Sequence, residues 1–416
     1  MRKNRYVVIV DPFSTGNLYA DEFKKHNIKP LALLSYAELP SACEITFRPQ
    51  DFEKIIYHRG ILNETLEKLC KYSPIAIIPG SETGVELADS ISLHLTPNFA
   101  NSKATMLARR DKGLMGDCIA RERIPHILQI CTDSVNEIRK WVRENDLAGM
   151  PLVLKPPKSS GTDSVIKLTD LNKLDEEFNK IYGKINKLEI MNDKVLVQEF
   201  VSGIEYVVDT FSVDGTHYVC DICKYSKVNT EHQMSIYETI EWVEETDPVA
   251  PSLINYTNLV LNALGVKFGC AHIEIMLTND GPKLIEVGAR AHGGGHPIFN
   301  LVATGDSQLH RLIDFVSNQR KISTNYQLKN HTKVVFLINK EKSQAKEINK
   351  LDLITNLKSH YKSYFNVHEG DVLLPTTDLF STFDLGFVVL SHSSAEQVQK
   401  DHEILKRMLS EVFINI

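Results

Sequence analysis

Between Tyr6 and Leu95, short uninterrupted apolar runs alternate with segments of helical period, and that alternation leaves few topologies open. YVVIVD (6–11) is apolar at successive positions and stops at Asp-Pro, the pattern of a strand covered on both faces. KPLALLSY (29–36) and IAIIPG (75–80) repeat it, the latter halted by Pro-Gly. LNETLEKLCKY (62–72) carries Leu62, Leu66 and Leu69 at helical spacing with Asn63 as cap. SETGVELADSISLHL (81–95) does the same with Val85, Leu87, Ala88 and Ile91. Strand and helix in alternation predict a doubly wound, Rossmann-like unit over 1–97. DPFSTGN after the first strand has a single glycine, which disfavours a dinucleotide site there.

The pattern then changes. Residues 101–124 read as a basic helical stretch of one or two helices. IPHILQIC is a strand, and TDSVNEIRKWVREN a helix capped by Thr132 or Asp133. PLVLKPP (151–157), the small-residue loop PKSSGTDS (157–164) and the strand VIKL complete a central unit over 98–195. From Lys194 the chain runs in long strands joined by Asp-Gly type turns, with one helix near 251–266. This predicts an antiparallel body over 196–416 ending in a smaller mixed subdomain from about residue 325. The fold class is α/β, passing to α+β in the C-terminal part.

Composition narrows the function classes. The 416 residues are 43% hydrophobic and 24% charged, which excludes a disordered or fibrous chain. The net charge of -6 argues against a nucleic-acid binder acting through bulk charge. No run approaches the roughly 18 apolar residues of a membrane helix, and the start is too short for a signal peptide, so a cytoplasmic protein is expected. The seven cysteines are scattered, and the lone CxxC at Cys220 and Cys223 lacks a second ligand pair, so reduced thiols are expected rather than zinc.

The hairpin from Phe268 to Arg290 carries the most chemistry. Alternation puts His272, Glu274 and Met276 on one face, and Leu284, Glu286 and Gly288 on one face of the returning strand. A turn centred on Asp280 sets Glu274 opposite Glu286. Two carboxylates that close repel unless a cation lies between them, and hard oxygen ligands there suit Mg²⁺. A solvated acidic face or a register slip is the alternative. Arg290 ends the strand where it can hold a phosphate, and the glycines of AHGGGHP (291–297) let backbone amides approach a ligand or simply make a flexible turn. His272, His292 and His296 have spacings unlike a familiar zinc site. Lys112 and Lys155 precede these elements; as single lysines they read equally as surface charges.

In this order, DKGLM with Lys112, PLVLKPP with Lys155, VLVQEFVSGIEY, AHIEIM and LIEVGAR resemble the ATP-grasp carboxylate–amine ligases over most of the chain. His272 beside Glu274 and the E-x-x-A-R ending are similar to the bacterial L-amino acid ligases, which make dipeptides; the general texture is similar to their arginine-selective, rhizocticin-linked branch. The resemblance implies an ATP-grasp fold, ATP, and Mg²⁺ with Mn²⁺ as a substitute. It implies ATP binding by Lys112, Lys155, Ser160 and Gly161, a hinge of Glu199, Phe200 and Val201 reading the adenine edge, and Glu205 on the ribose. Glu274 and Glu286 would hold the metal, and Arg290 would stabilise the transferring phosphoryl group. Many relatives have Asn where Gly288 stands, which puts a strict two-metal arrangement in doubt. Amino-acid substrates would be lined by Glu82, His232, Arg290 and Gly294, Glu82 receiving a cationic group. The resemblance is compatible with a homodimer and implies no nucleic-acid or membrane partner. The implied reaction joins one amino acid's carboxylate to another's amine through an acyl phosphate. The rivals are a purine-pathway or carboxylase-type ligase and a nucleotide-binding regulator without turnover.

Glu286→Ala should abolish ATP-dependent phosphate release. A near-normal rate in that variant would remove the metal assignment.

Overall fold

A computed structural model describes residues 4–228, 236–318, 322–377 and 379–415. The first sheet is parallel, with strands β1 (Arg5–Val10), β2 (Ile28–Leu34), β3 (Lys54–Tyr57) and β4 (Ala76–Pro79) in the order β3-β2-β1-β4. Alternate residues of β1 feed two cores. Val7 and Ile9 pack with Tyr19, Phe23 and helix Gln308–Asn318, whereas Val8 and Val10 pack with Leu69, Ala88 and Ile91. That division is why YVVIVD has no polar alternation. Helix Leu18–Lys25 and strand β3 were absent from the sequence reading: KIIY holds only two aliphatic residues.

The loops leaving β1, β2 and β4 meet at the carboxyl edge of this sheet. Their contact depends on two glycines. A Cβ at Gly16 would sit 2.3 Å from the Gly80 carbonyl oxygen, and one at Gly80 would sit 2.7 Å from both Asp11 O and Pro12 Cα. Asp11 lies at this point with φ +50°, accepting hydrogen bonds from Ser35 N, Ser35 Oγ and Thr83 Oγ1.

The second sheet is antiparallel, in the order β5-β8-β6-β7, built from β5 (Gln129–Thr132), β6 (Leu152–Lys155), β7 (Ile166–Leu168) and β8 (Val195–Glu199). Helices Val135–Glu144 and Leu174–Ile181 close its core through Ile138, Val142 and Phe178. Ser134 caps the first of these helices, accepting from Glu137 N. This displaces the expected Thr132 or Asp133; the Thr132 hydroxyl bonds the Glu137 carboxylate instead. Within 101–124, two 3-10 turns lead to helix Lys112–Arg121, whose N-cap Asp111 accepts from Gly113 N and Leu114 N.

The third sheet has eight antiparallel strands. They are β9 (Ile204–Val213), β10 (Thr216–Val228), β11 (Ile236–Trp242), β12 (Gly269–Thr278), β13 (Gly281–Gly288), β14 (His331–Phe336), β16 (His360–Phe365) and β18 (Gly386–His392). Their order is β13-β12-β9-β10-β11-β14-β18-β16. The terminal segment therefore extends this sheet through the β11–β14 pairing, and adds a small sheet of β15 (Ser343–Ala345), β17 (Val372–Leu373) and β19 (Phe413–Asn415). One face of β9, β12 and β13 packs Val208, Ile273, Ile275, Leu284 and Val287 on helix Ala250–Ala263 and on Met115, Cys118 and Ile119. The other face carries the polar residues of the site.

Gly80→Ala forces the β1 and β4 loops apart. It should destabilise the protein by about 1–3 kcal/mol, the usual cost of overpacking, read as a lower thermal-unfolding midpoint; an unchanged midpoint would contradict this packing.

Candidate active site

Glu274 of β12 pairs with Glu286 of β13, as the hairpin periodicity predicts, but by a different route. The turn is tight, with Thr278 opposite Gly281, and the register shifts by one between Glu274 and Ile275. Ile285 is the extra residue of this bulge. Leu284 therefore joins Val287 on the core face, not Glu286 as strict alternation predicts. Glu286 faces Glu274, and Ile285 and Leu284 line a small cleft with Lys112, Ile127 and Gln198.

Three lysines and three glutamates converge here. Lys112 Nζ lies 3.0 Å from Glu286 Oε1 and donates to Ser159 O at 2.6 Å. Lys227 Nζ donates to Glu205 at 2.6 Å and lies 4.2 Å from the Tyr237 ring centroid. Lys155, from the end of β6, is 6% exposed. Burial and the charge of Lys112 push its ammonium down to about 8, against the opposite pull of Glu286, Glu274 and Glu205. Burial opposes charge on Lys227 too, but Glu205, Tyr237 and Glu274 outweigh it and raise its pKa. Partial burial opposes charge on Glu274 as well, yet the hydrogen bond from His272 and the charge of Lys227 hold its carboxyl below the usual carboxylate range.

Behind Glu274 stands a polar column. His272 donates from Nδ1 to Asp209 at 3.0 Å and from Nε2 to Glu274 at 3.2 Å. With both nitrogens donating, the ring is an imidazolium, and these acids lift its pKa to about 9 against burial. His292 donates to the other Asp209 oxygen at 2.8 Å and accepts from Tyr225 at 2.8 Å, so it is neutral; burial and His272 lower its pKa. The rings of His292 and His296 stack with centroids 3.7 Å apart. The three histidines that sequence spacing separated are thus neighbours. Asp209, His292 and His296 bring ligand atoms within 4.8 Å of one another. Parallel rings aim their nitrogens side by side rather than at a common point, which suits hydrogen bonding better than a metal.

Glu82 is buried at the edge of the parallel sheet. Its carboxylate accepts from Arg290 Nε at 3.1 Å and lies 3.5 Å from Arg110 Nη1. A Cβ at position 288 would come within 3.3 Å of the Arg290 guanidinium and the Glu82 carboxylate, so Gly288 makes the room that Asn would fill. Glu199 ties the hinge down: its side chain accepts from Leu128 N and Lys283 Nζ, each at 3.1 Å. The N–H groups of Glu199 and Phe200 donate to Leu128 O and Pro151 O, which removes both donors from reading a base edge. Val201 follows in the segment between β8 and β9. Ser160 and Gly161 lie in the loop beside Ser159, where Gly161 and Thr162 adopt left-handed backbone. That loop meets the parallel-sheet unit through Lys158–Glu86 at 2.7 Å.

Gly294, expected to offer its amide to substrate, donates it to Ser14 Oγ at 3.0 Å, and Gly295 donates to Thr15 Oγ1 at 2.9 Å. The glycine run fastens the third sheet to the first. His232 lies outside the described residues. Sequence reasoning missed Asp209 and Arg110. Asp209 had a signal, a charge inside an otherwise apolar strand; Arg110 had none beside Arg109. All seven cysteines are unbridged, as expected. No helix among the described residues is long and apolar enough to cross a membrane.

Facing carboxylates with cationic neighbours and oxygen-only donors fit Mg²⁺ better than a softer metal. Comparison with known proteins agrees. Residues 148–296 match the family model described as ATP-grasp domain. The chain is 30% identical to dapdiamide A synthase of Enterobacter agglomerans over 404 residues, 92% of this chain and 91% of that protein. It is 24% identical to the L-arginine-specific L-amino acid ligase of Bacillus subtilis over 192 residues, 46% of this chain and 45% of that one. Its fold superposes on the L-amino acid ligase from Bacillus licheniformis with a TM-score of 0.73 at 15% identity, covering all of both chains.

Because the Lys155 pKa is lowered to about 8, its charge is complete well below that pH and lost above it. The KM for ATP should be flat at lower pH and climb above pH about 8, by up to tenfold per unit. A Lys155→Arg variant should remove the rise; a flat wild-type profile to pH 9.5 would contradict the assignment.

Proposed function

Since this chain belongs to the ATP-grasp carboxylate–amine ligases and is an ATP-dependent ligase, we propose that it joins the carboxylate of one L-amino acid to the amine of another, giving a dipeptide, ADP and phosphate. The observation that carries the reading is the juxtaposition of the Glu274–Glu286 pair with Lys112 and Lys155, next to the Glu82–Arg290 pair. ATP-grasp enzymes use ATP and Mg²⁺. Glu274 and Glu286 would hold Mg²⁺, which supplies charge neutralisation to the phosphates when bound.

The chain's own groups then have defined work. A carboxylate does not condense with an amine at neutral pH, because hydroxide is a poor leaving group. Lys112 and Lys155 would draw the phosphates to the seam, Lys112 exchanging Glu286 for a phosphate oxygen. The cleft lined by Ile285, Leu284 and Ile127 supplies apolar contact for the base. The acid's carboxylate oxygen attacks the γ-phosphorus, the bond to the ADP oxygen breaks, and an acyl phosphate forms. Arg290 would steady the added negative charge. The second amino acid's nitrogen attacks the acyl carbon, and phosphate leaves with the carboxylate's oxygen. Ser159 and its loop, seated on Lys112 and on Glu86, would keep water from the acyl phosphate. His272, held by Asp209, would fix the orientation of Glu274. The identity to dapdiamide A synthase, and the shorter match to the arginine-specific ligase, support amino-acid substrates.

Incubation with ATP, Mg²⁺ and a panel of amino acids, arginine and small aliphatic ones included, should release phosphate in step with a dipeptide found by mass spectrometry. Nucleotide binding with no turnover on any pair would overturn the reading.

A further inference from the structure

Two adjacent arginines in the turn before Lys112 are used in opposite ways. Arg109 is fully enclosed and every nitrogen is engaged: Nε with Asp89 at 2.8 Å, Nη1 with Thr105 Oγ1 and Leu264 O, and Nη2 with Ser102 O at 2.9 Å. That is what an arginine with a purely architectural role looks like in this fold. Arg110 is 4% exposed, yet Nη1 and Nη2 are both buried without a hydrogen bond. A buried guanidinium with two unmet donors is an expensive arrangement unless a ligand completes it.

The surroundings say which kind of ligand. Among the described residues, Glu82 is the one carboxylate within 4 Å of either Arg110 or Arg290, at 3.5 and 3.1 Å. Asp11, at the same sheet edge, has its oxygens taken by Ser35 and Thr83. Two guanidinia against one carboxylate leave one positive charge over. Gly288 lets Arg290 fold back to this place. The position is the carboxyl edge of a parallel sheet, where such sheets receive ligands. It is also covered: Tyr36, whose hydroxyl feels the charge of Arg110, donates to Leu188 O at 3.0 Å from the second sheet's unit.

We propose that Arg110 and Arg290 form the seat for a carboxylate of an amino-acid substrate, with Glu82 as the counter-charge that holds the two guanidinia in place. The proposal rests on the ligase reading above and makes Arg110 a specificity-determining residue. A forked pair of N–H donors fits a carboxylate, and the site is closed to solvent once the loops meet. The carboxylate could come from either amino acid. One keeps its charge throughout; the other is the group activated.

The test is steady-state kinetics of Arg110→Gln and Arg110→Lys against wild type, with the KM of ATP and of each amino acid measured separately. A charge-assisted pair is worth about 10- to 100-fold, so Arg110→Gln should raise the KM of one amino acid by about that factor and leave that of ATP within about twofold. A rise confined to the amine-donating amino acid, with the wild type's preference for its free acid over its amide lost, places that α-carboxylate in the seat. A rise confined to the acyl donor places the activated carboxylate there. Arg110→Lys keeps the ion pair with Glu82, and so the fold, and should show a smaller rise of the same selectivity. Unchanged KM values for both amino acids, or equal rises for all three substrates, would overturn the proposal. Wild type that forms no amide product would instead overturn the ligase reading.

Discussion

Charge balance at the seam between the sheets organises this protein. Lys112, Lys155 and Lys227 face Glu205, Glu274 and Glu286, three cations against three anions, all drawn largely out of water. Each belongs to a different piece of backbone: a helix start, three strands of the third sheet, the returning strand of a hairpin and the end of β6. None could be buried singly, because an unpaired buried charge costs several kcal/mol. The cluster therefore couples the sheets to one another.

Local backbone chemistry sets that cluster. The bulge at Ile285 sets Glu286 opposite Glu274 while Leu284 and Val287 pack in the core. Gly288 leaves the space in which Arg290 turns to Glu82. A side chain at this position would crowd the Arg290 guanidinium and the Glu82 carboxylate, so the glycine and the Arg290–Glu82 pair belong together. The histidine column makes the same point. Asp209 fixes His272, and His272 fixes Glu274, so the carboxylate proposed to hold the metal is oriented from behind.

Much of this was legible in the residues. The apolar run of β1 specified a strand between two cores, and the spacing from Glu274 to Glu286 placed two acids face to face. Other parts were not. Alternation cannot locate a bulge, so it puts Leu284 on the wrong face. Residues distant in sequence, such as Asp209 with His292 or Glu82 with Arg110, meet only through strand order, which no local pattern encodes. The glycine run at 293–295 reads as a ligand loop, but its amides bond Ser14 and Thr15 across the seam. Strand β3 was too short and too polar to stand out.

In the proposed reaction the γ-phosphoryl group passes to a carboxylate oxygen, and the same oxygen departs with phosphate. An acyl-donor amino acid labelled with oxygen-18 in its carboxylate decides this. Label should appear in the released phosphate, with ADP as the nucleotide product. Unlabelled phosphate, or label found in AMP with pyrophosphate released, would contradict it.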